Sequence, residues 1–178
     1  MHDLVQQGKV LYWGTSEWTA QQLTEAWAVA KDLRITPPTM EQPQYNLFER
    51  EKVEGDYRPL YDLMGLGTTI WSPLASGILT GKYNKGIPAG SRLDLPGYEW
   101  LKEIWQGEKG KQRIAQVEKL AALAEEIGLP IHHMALLWCL ANKNVSTVIL
   151  GASKKSQLED NLAALDSRGK LTQDVLDR

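Results

Sequence analysis

Short apolar segments that end at turn residues, each followed by a helical pattern, limit the fold of this sequence more than any other feature. In the first, residues 10–16 are rich in β-forming side chains and stop at a Gly-Thr-Ser turn. Thr19 and Gln22 then have the spacing of a capping box, and apolar residues recur at helical intervals up to Leu33. This stretch predicts a strand followed directly by a helix.

The same alternation recurs three times along the chain. Residues 38–42 predict a weaker second strand, and residues 68–71 predict a third that ends before Pro73, because proline removes a ladder donor. Residues 146–150 predict a fourth strand whose continuous apolar run is typical of burial on both faces. Further helices are predicted at residues 57–66, 111–127 and 130–142, in the segment through Leu158, Leu162 and Leu165, and in the tail at 171–178. Gly128 is predicted as the C′ residue of the helix at 111–127, and Pro130 as the N1 residue of the next helix.

Four strands that are each followed by a helix imply right-handed crossovers and a parallel sheet. An α/β barrel closes with eight such units, so that no strand edge is left unpaired. Since this chain has four, we predict an α/β fold that forms half of a TIM (β/α)8 barrel, with about four parallel strands and their helices. An open doubly wound sheet of four strands is the alternative.

The segment after the third strand points to a binding function. Residues 72–110 show no sustained period and are repeatedly interrupted by glycine. A loop of this length inside a compact domain is usually functional. Because ligands of parallel α/β folds bind at the carboxyl ends of the strands, we expect the binding residues in the loops that follow the four strands.

The turn after the fourth strand carries cations in an unusual place. If Ser153 caps the next helix, Lys154 and Lys155 fall in its first turn, where the helix dipole opposes them by roughly a few tenths of a kcal/mol each. Either an anion on the free backbone N–H groups offsets this cost, or both lysines are simply solvated. Lys82 and Arg92 on the long loop could add charge to a phosphate site, although a solvated loop residue explains each one alone.

Other candidate sites are ambiguous or weak. Trp71 stands at a strand end, where its ring could stack on a flat heteroaromatic ligand or simply pack in the core. His132 and His133 are adjacent on a predicted helix, about 100° apart, which predicts that they cannot face a common metal. Cys139 lies in an apolar helical stretch and is expected to be a buried, inert thiol. Glycine-rich dinucleotide motifs, a P-loop and CxxC pairs are absent.

Composition excludes several classes of partner. A net charge of −2 gives no field that would gather nucleic acid or anionic lipid. One cysteine cannot form an internal disulfide, and no apolar run is long enough to insert into a membrane. The first residues lack the features of a signal peptide, so a cytoplasmic location is expected.

Four motifs follow one another along the chain. They are YWGTSEW at residues 12–18, EQPQYN at 41–46, WSPLASG at 71–77 with GKY at 81–83, and LGAS at 150–153 with Gln157 and Asn161. Together they resemble the second half of the aldo-keto reductases, and within that family the branch that contains the voltage-gated potassium channel β subunits. The resemblance covers nearly the whole chain, in order and spacing. It implies that residues 1–178 form the C-terminal half of an NADP-dependent oxidoreductase domain.

The resemblance implies a TIM barrel that binds NADPH in an extended conformation across its C-terminal rim, without a Rossmann fold. In that reading Ser16 and Gln42 hold the nicotinamide carboxamide, and Trp71 stacks on the nicotinamide ring. The pyrophosphate and adenosine ends, with the 2′-phosphate, are assigned to Ser72, Leu74, Ser76, Lys82, Arg92, Gly151, Ser153, Gln157 and Asn161.

The sequence also departs from the family pattern. The channel-subunit branch often has Arg at the position of Glu17, Tyr at that of Gly90 and Glu at that of Asp160. The family's catalytic Asp, Tyr, Lys and His come from the first half of the barrel and have no counterpart here. Without the tyrosine that protonates the carbonyl oxygen, little or no reduction of aldehydes or ketones is expected from this chain alone.

Two kinds of function follow from the resemblance. The first is the cofactor-holding half of an NADPH-dependent reductase of small carbonyl substrates, completed by a complementing N-terminal half or accompanied by self-association through open sheet edges. The second is a non-catalytic nucleotide-sensing or partner-binding module. A decayed fragment without a stable fold is a third reading.

Overall fold

The four strands form one parallel sheet in sequential order in the computed structural model, which describes all 178 residues. The strands are β1 (Gly14–Ser16), β2 (Met40–Gln42), β3 (Gly67–Ile70) and β4 (Val145–Val148). Each strand pairs with the next in the chain, whereas a doubly wound sheet reverses its strand order. The α/β fold of a partial (β/α)8 barrel is thus confirmed.

The predicted helices are present, and two helices were not predicted, a short one at His2–Gln6 and one in the long loop. That loop contains short 3₁₀ helices at Ala75–Thr80 and Arg92–Asp94 and the unpredicted helix α4. A π-helical turn precedes α3, and a 3₁₀ segment follows α7. The α-helices are α1 (His2–Gln6), α2 (Ala20–Asp32), α3 (Arg58–Met64), α4 (Glu99–Gln106), α5 (Glu108–Glu126), α6 (Ile131–Ala141), α7 (Lys155–Ala163) and α8 (Gln173–Leu176).

The chain divides into two compact units. The first, called the sheet unit, consists of Met1–Pro73 and Cys139–Ile149 and contains all four strands. The second, called the helical unit, consists of Leu74–Trp138 and Leu150–Arg178. Part of the core of the sheet unit is a cluster of buried apolar side chains from α2, from α3 and from the residues that flank α3: Leu23, Tyr57, Leu60 and Leu66.

The turn between β1 and α2 forms as predicted. Thr19 is the N-cap of α2: its side chain accepts from the Gln22 N–H at 3.2 Å, and the Gln22 side chain accepts from the Thr19 N–H at 2.9 Å. This reciprocal capping box satisfies two of the N–H groups that a helix start leaves open. Leu23 and Ala30 are buried on the face of α2 that the helical spacing indicated.

Both edge strands are shorter or more exposed than predicted. Strand β1 begins only at Gly14, and Leu11 and Tyr12 are 80% and 74% exposed. Strand β4 is not buried on both faces, since Ser146 and Thr147 are exposed. The reason is shared: β1 pairs only with β2 and β4 only with β3, so each has one unpaired side.

In the turn between α5 and α6, the predicted role of Gly128 is confirmed and the predicted position of Pro130 is wrong by one residue. Gly128 follows the C-cap of α5 with a φ of +66°, in the left-handed region that glycine favours. Helix α6 starts at Ile131, so Pro130 lies before N1, and its carbonyl accepts from the Met134 N–H at 3.1 Å. By length and composition, no single helix could span a membrane; α5 and α6 pass that test only as a pair bent by 90°.

Candidate functional site

Ser16 and Gln42 lie side by side at the carboxyl ends of β1 and β2. They are register partners in the parallel sheet, and the Ser16 hydroxyl donates to the Gln42 carbonyl at 3.0 Å. The side-chain amide of Gln42 is half-buried and forms no hydrogen bond within the chain. The pair therefore presents a free amide, which can donate and accept, beside a hydroxyl oxygen that can accept.

Trp71 directly follows β3 and extends the sheet by one bridge. Its N–H donates to the Pro43 carbonyl at 3.0 Å, and its own carbonyl accepts from the Tyr45 N–H at 3.3 Å. The indole Nε1 donates to Glu17 Oε1 at 2.9 Å. Trp71 is half-buried, so it is not a fully packed core residue, and its indole orientation is fixed by a hydrogen bond.

Glu17 joins the ends of three strands through one carboxylate. Besides Trp71, it accepts from the Gln44 N–H at 2.6 Å and forms an ion pair with Lys52 at 2.5 Å. Partial burial works to raise the pKa of Glu17, but the hydrogen bonds from Lys52, Gln44 and Trp71 outweigh it and hold that pKa below its ordinary value. Its φ of 61° places a non-glycine residue in the left-handed region, a conformation concentrated at functional sites.

A second carboxylate, that of Glu41, lies on β2, the strand next to β1. Glu41 is fully buried and accepts hydrogen bonds from the Thr15 hydroxyl and, at 3.0 Å, from the Trp18 N–H. Burial raises the pKa of Glu41, since the charged form loses its hydration. The hydroxyl of Tyr57 donates to the Trp18 carbonyl, so both backbone polar groups of Trp18 are held.

The loop after Trp71 has an unusual backbone. Ser72, Ala75 and Ser76 have φ values of 56°, 46° and 58°, in the region that non-glycine residues rarely adopt. In the sheet unit, the carbonyl of Ser72 accepts from the Asn46 side chain at 3.0 Å. Three such residues within five positions mark this segment as a site that the surrounding structure holds in place.

The helical unit carries the remaining predicted residues. Leu74 caps the 3₁₀ helix that starts at Ala75. Lys82 and Arg92 are exposed and form no salt bridge; the Lys82 Nζ lies 5.0 Å from the Tyr83 ring centre, and the Arg92 guanidinium lies 5.9 Å from that of Tyr98. Both cations are therefore free to receive an anion.

The start of α7 differs from the prediction. Ser153 is not the N-cap: the helix begins at Lys155, Lys154 takes the cap position, and no side chain caps it. Instead the Gln157 side chain reaches back and accepts from the Ser153 N–H at 2.8 Å and from its hydroxyl at 3.1 Å. Lys155 pairs with Glu159 at 3.0 Å. The sequence could not show that the Gln157 side chain would bind Ser153, which lies just before the helix.

The predicted residues at and after the turn at 151–153 differ in how far they are buried. Gly151, Ser153 and Gln157 are exposed, whereas Asn161, two turns into α7, is buried. On the same helix Leu158 is 42% exposed and Leu162 is 49% exposed, so α7 does not bury a complete leucine stripe. The turn at residues 151–153 is thus an open surface that leads into a partly buried helix.

The structure overturns the geometric argument about His132 and His133 and confirms the expectation for Cys139. The spacing predicts that His132 and His133 cannot face a common metal, but the geometric reason is wrong, because both Nε2 atoms lie within hydrogen-bond distance of Asp160. Cys139 is confirmed as a buried thiol, and burial raises its pKa to about 12. It has no base beside it and contacts the Tyr45 carbonyl at 3.8 Å.

The helical unit also holds an open, mainly apolar cavity of about 370 Å³. The buried hydroxyl of Tyr83 has no hydrogen-bond partner. None of the twelve residues assigned to the cofactor lines this cavity, so it is separate from the predicted site. Its lining includes Tyr83, Ile87, Leu93, Trp105 and Ile114.

Two comparisons with known proteins show which family this sequence matches. The sequence model of the aldo/keto reductase family matches residues 1–178. A protein of Oryza sativa subsp. japonica named "Probable voltage-gated potassium channel subunit beta" is 48% identical over 179 residues, covering 100% of this chain and 54% of that protein. An Arabidopsis thaliana protein of the same name is 46% identical with the same coverage. The chain spans about half the length of the curated relatives it matches, and it belongs to the aldo/keto reductase family.

Proposed function

We propose that this chain holds NADPH for the reduction of small aldehydes or ketones of the aldo-keto reductase type. The observation that carries the proposal is the placement of Ser16, Gln42 and Trp71 at the carboxyl ends of three successive parallel strands. Ligands of parallel α/β folds bind at that edge of the sheet. Membership in the family supports the same reading.

The nicotinamide end is assigned to the sheet unit. A carboxamide needs one acceptor and one donor, and the free amide of Gln42 beside the Ser16 hydroxyl oxygen supplies both. Trp71 offers a flat aromatic surface, and its hydrogen bond to Glu17 fixes the ring before any ligand arrives. When bound, NADPH supplies the hydride.

The phosphate and adenosine ends are assigned to the segment that starts at Ser72 and to the helical unit. Lys82 and Arg92 are cations without a salt bridge, and the N-terminus of α7 lacks a side-chain cap, which leaves backbone N–H groups for an anion. The exposed turn with Gly151 and Ser153 is accessible to a ligand. Further assigned residues are Leu74, Ser76, Gln157 and Asn161.

We assign no catalytic residue to this chain. Its role is to bind and orient the cofactor and to exclude water from one side of it. The proton for the carbonyl oxygen would then come from a complementing N-terminal half. Accordingly, the chain alone should bind NADPH without reducing an aldehyde.

Charge selectivity tests the assignment of the phosphate end. NADPH differs from NADH by the 2′-phosphate, so Lys82→Met or Arg92→Met should lower the preference for NADPH over NADH by about tenfold, the effect of losing one charge-assisted hydrogen bond. Lys119→Met on α5 removes an exposed charge elsewhere in the helical unit and should leave the preference unchanged. Equal effects of all three variants would refute the assignment of Lys82 and Arg92.

A second candidate function rests on the relatives' printed names. Both are named as probable potassium channel β subunits, which favours a nucleotide-sensing or partner-binding module without catalysis. Sedimentation of the chain with and without NADPH separates the two. A change of assembly state on NADPH binding supports the sensing module. A chain that stays monomeric whether or not NADPH is bound, and that gains reductase activity with an N-terminal half, supports the enzyme.

A further inference from the structure

Three side chains that can ligate a metal converge in the helical unit, where Asp160 directly precedes Asn161, a residue assigned to NADPH. His132 and His133 lie in the first turn of α6, and Asp160 lies on α7. The His132 Nε2 lies 2.8 Å from Asp160 Oδ2, and the His133 Nε2 lies 3.2 Å from Asp160 Oδ1. One donor atom from each of the three residues lies within 4.8 Å of the other two.

Adjacent residues on a helix rarely present their side chains to one point, because they are about 100° apart around the axis. Here the two imidazole rings meet edge to face, with centroids 4.5 Å apart and planes at 72°, and both reach the same carboxyl group. His133 is only 7% exposed. Burying two polar rings against one carboxylate is costly unless each finds a partner, so the arrangement is specific.

We propose that His132 Nε2, His133 Nε2 and the Asp160 carboxylate form a binding site for a divalent transition metal such as Zn²⁺. Two imidazole nitrogens and one carboxylate oxygen are a donor set that zinc accepts, with bonds of about 2.0–2.2 Å. Tetrahedral bonds of that length place neighbouring donors about 3.3–3.5 Å apart. The present separations of 2.8 and 3.2 Å between nitrogen and oxygen need only a small expansion.

The fourth position belongs to solvent. The Asp160 side chain is 56% exposed and that of His132 is 19% exposed, so an ion can enter from the surface and keep a water ligand.

Metal binding has to change the hydrogen bonds at both Nε2 atoms, because the Asp160 carboxylate oxygen that lies 2.8 Å from the His132 Nε2 only accepts. The His133 Nε2 also lies 2.8 Å from the backbone carbonyl of Asp160, and a carbonyl only accepts, so this nitrogen carries a hydrogen in the metal-free chain. A ring that ligates through Nε2 must instead carry its remaining hydrogen on Nδ1. Zn²⁺ would therefore replace the hydrogen at Nε2, and the change of tautomer is a signature that non-specific surface binding would not produce.

The chain has few other residues that bind Zn²⁺ strongly, which simplifies a binding experiment. Three histidines and one cysteine are present, and the cysteine is buried. Calorimetric titration of the untagged full chain with ZnCl₂ should show one ion per chain, and His132→Gln or Asp160→Asn should each weaken binding at least about tenfold. His2→Gln is the matched control, because it removes the one histidine outside the cluster, and it should leave the affinity unchanged.

The ¹⁵N shifts of the imidazoles give the second measurement. On addition of Zn²⁺, the His133 signals should move from the Nε2–H to the Nδ1–H tautomer, with no such change in His2. If the wild-type chain binds Zn²⁺ no more tightly than His132→Gln, or if His2→Gln abolishes the binding, the site does not exist. An unchanged His133 tautomer at saturating Zn²⁺ would overturn it equally and leave a hydrogen-bonded triad only.

Discussion

The indole Nε1 of Trp71 donates a 2.9 Å hydrogen bond to Glu17, a residue 54 positions earlier in the chain. The contact joins the ends of β1 and β3, and the same carboxylate also holds the Gln44 N–H beyond β2. One side chain thus ties together the three loops that carry the residues assigned to nicotinamide. It follows that Glu17 should matter both for stability and for the orientation of Trp71.

Replacing Glu17 by Gln should destabilise the chain in a pH-dependent way. The folded-state pKa lies below the ordinary value of 4.5, so the stabilisation is present above that value and is lost as the pH falls through the lowered pKa. With the side chain 42% exposed, we expect a loss of about 0.5–1 kcal/mol at neutral pH and almost none in acid. Urea unfolding measures both. The control Glu25→Gln removes an exposed carboxylate of α2 and should show no such pH dependence.

The contribution of Glu41 to stability should change with pH in the opposite direction to that of Glu17. Burial raises its folded-state pKa, so its contribution to stability is greatest below the unfolded value and is lost as the pH rises through the raised pKa. In Glu41→Gln the new amide can still accept from the Trp18 N–H and donate to the Thr15 hydroxyl. At neutral pH the free energy of unfolding of this variant should therefore be at most about 1 kcal/mol below that of the wild type, or above it.

Truncation of the same residue should be much more harmful. Glu41→Ala leaves the Trp18 N–H and the Thr15 hydroxyl without their partner and opens a cavity, at a cost of about 2–4 kcal/mol. Chemical unfolding of the two variants side by side distinguishes a shape and hydrogen-bonding role from a need for charge. Equal destabilisation by Gln and Ala would show that the charge itself is required.

Gly14 should tolerate no side chain. A Cβ there would overlap the Met40 backbone oxygen on the neighbouring strand, and backbone cannot move aside cheaply. Gly14→Ala should therefore lower the free energy of unfolding by about 1–3 kcal/mol through overpacking. Gly169→Ala, where a Cβ meets nothing within 4 Å, is the control and should be close to neutral. A harmless Gly14→Ala would mean that β1 and β2 are not paired in this register.

Cys139 should react only in the unfolded chain. It is the single cysteine, it is fully buried, and burial raises its pKa to about 12, so almost no thiolate is present at neutral pH. A thiol-specific chromogenic reagent should label almost none of the native protein and one thiol per chain in concentrated urea. Fast labelling of the native chain would show that α6 opens readily near its C-terminal end.

Local signals in the sequence predicted the fold well where the structure depends on neighbours in the chain. The capping box of Thr19 and Gln22 and the role of Gly128 each rest on a few adjacent residues. Helix α4 was missed because it has only eight residues, of which Leu101 and Trp105 are buried, too few to establish a period. The strand β1 was predicted too long because apolar residues do not reveal that a strand lies at a sheet edge.

The positions of Ser16, Gln42 and Trp71 at strand ends agree with the predicted strands, whereas the contacts around these residues were not predicted. Strand ends indicated Ser16, Gln42 and Trp71, since position in a parallel fold is readable from the chain. The contact between Glu17 and Trp71 joins distant positions, and nothing local signals it. The convergence of His132 and His133 on Asp160 depends on how α6 and α7 meet and on the rotamers of the rings, which helical spacing alone does not describe.

Titration of NADPH into the purified chain, followed by its fluorescence and by turnover of a small aldehyde, tests the central claim most directly. The account predicts saturable binding of one NADPH per chain, a loss of at least about tenfold in affinity in Trp71→Ala, as expected for a lost stacking surface, and no turnover. Absence of NADPH binding to the folded wild-type chain, or equal binding by Trp71→Ala, would contradict the assigned site. Robust turnover by the chain alone would contradict its assignment as a cofactor-holding half without a catalytic acid.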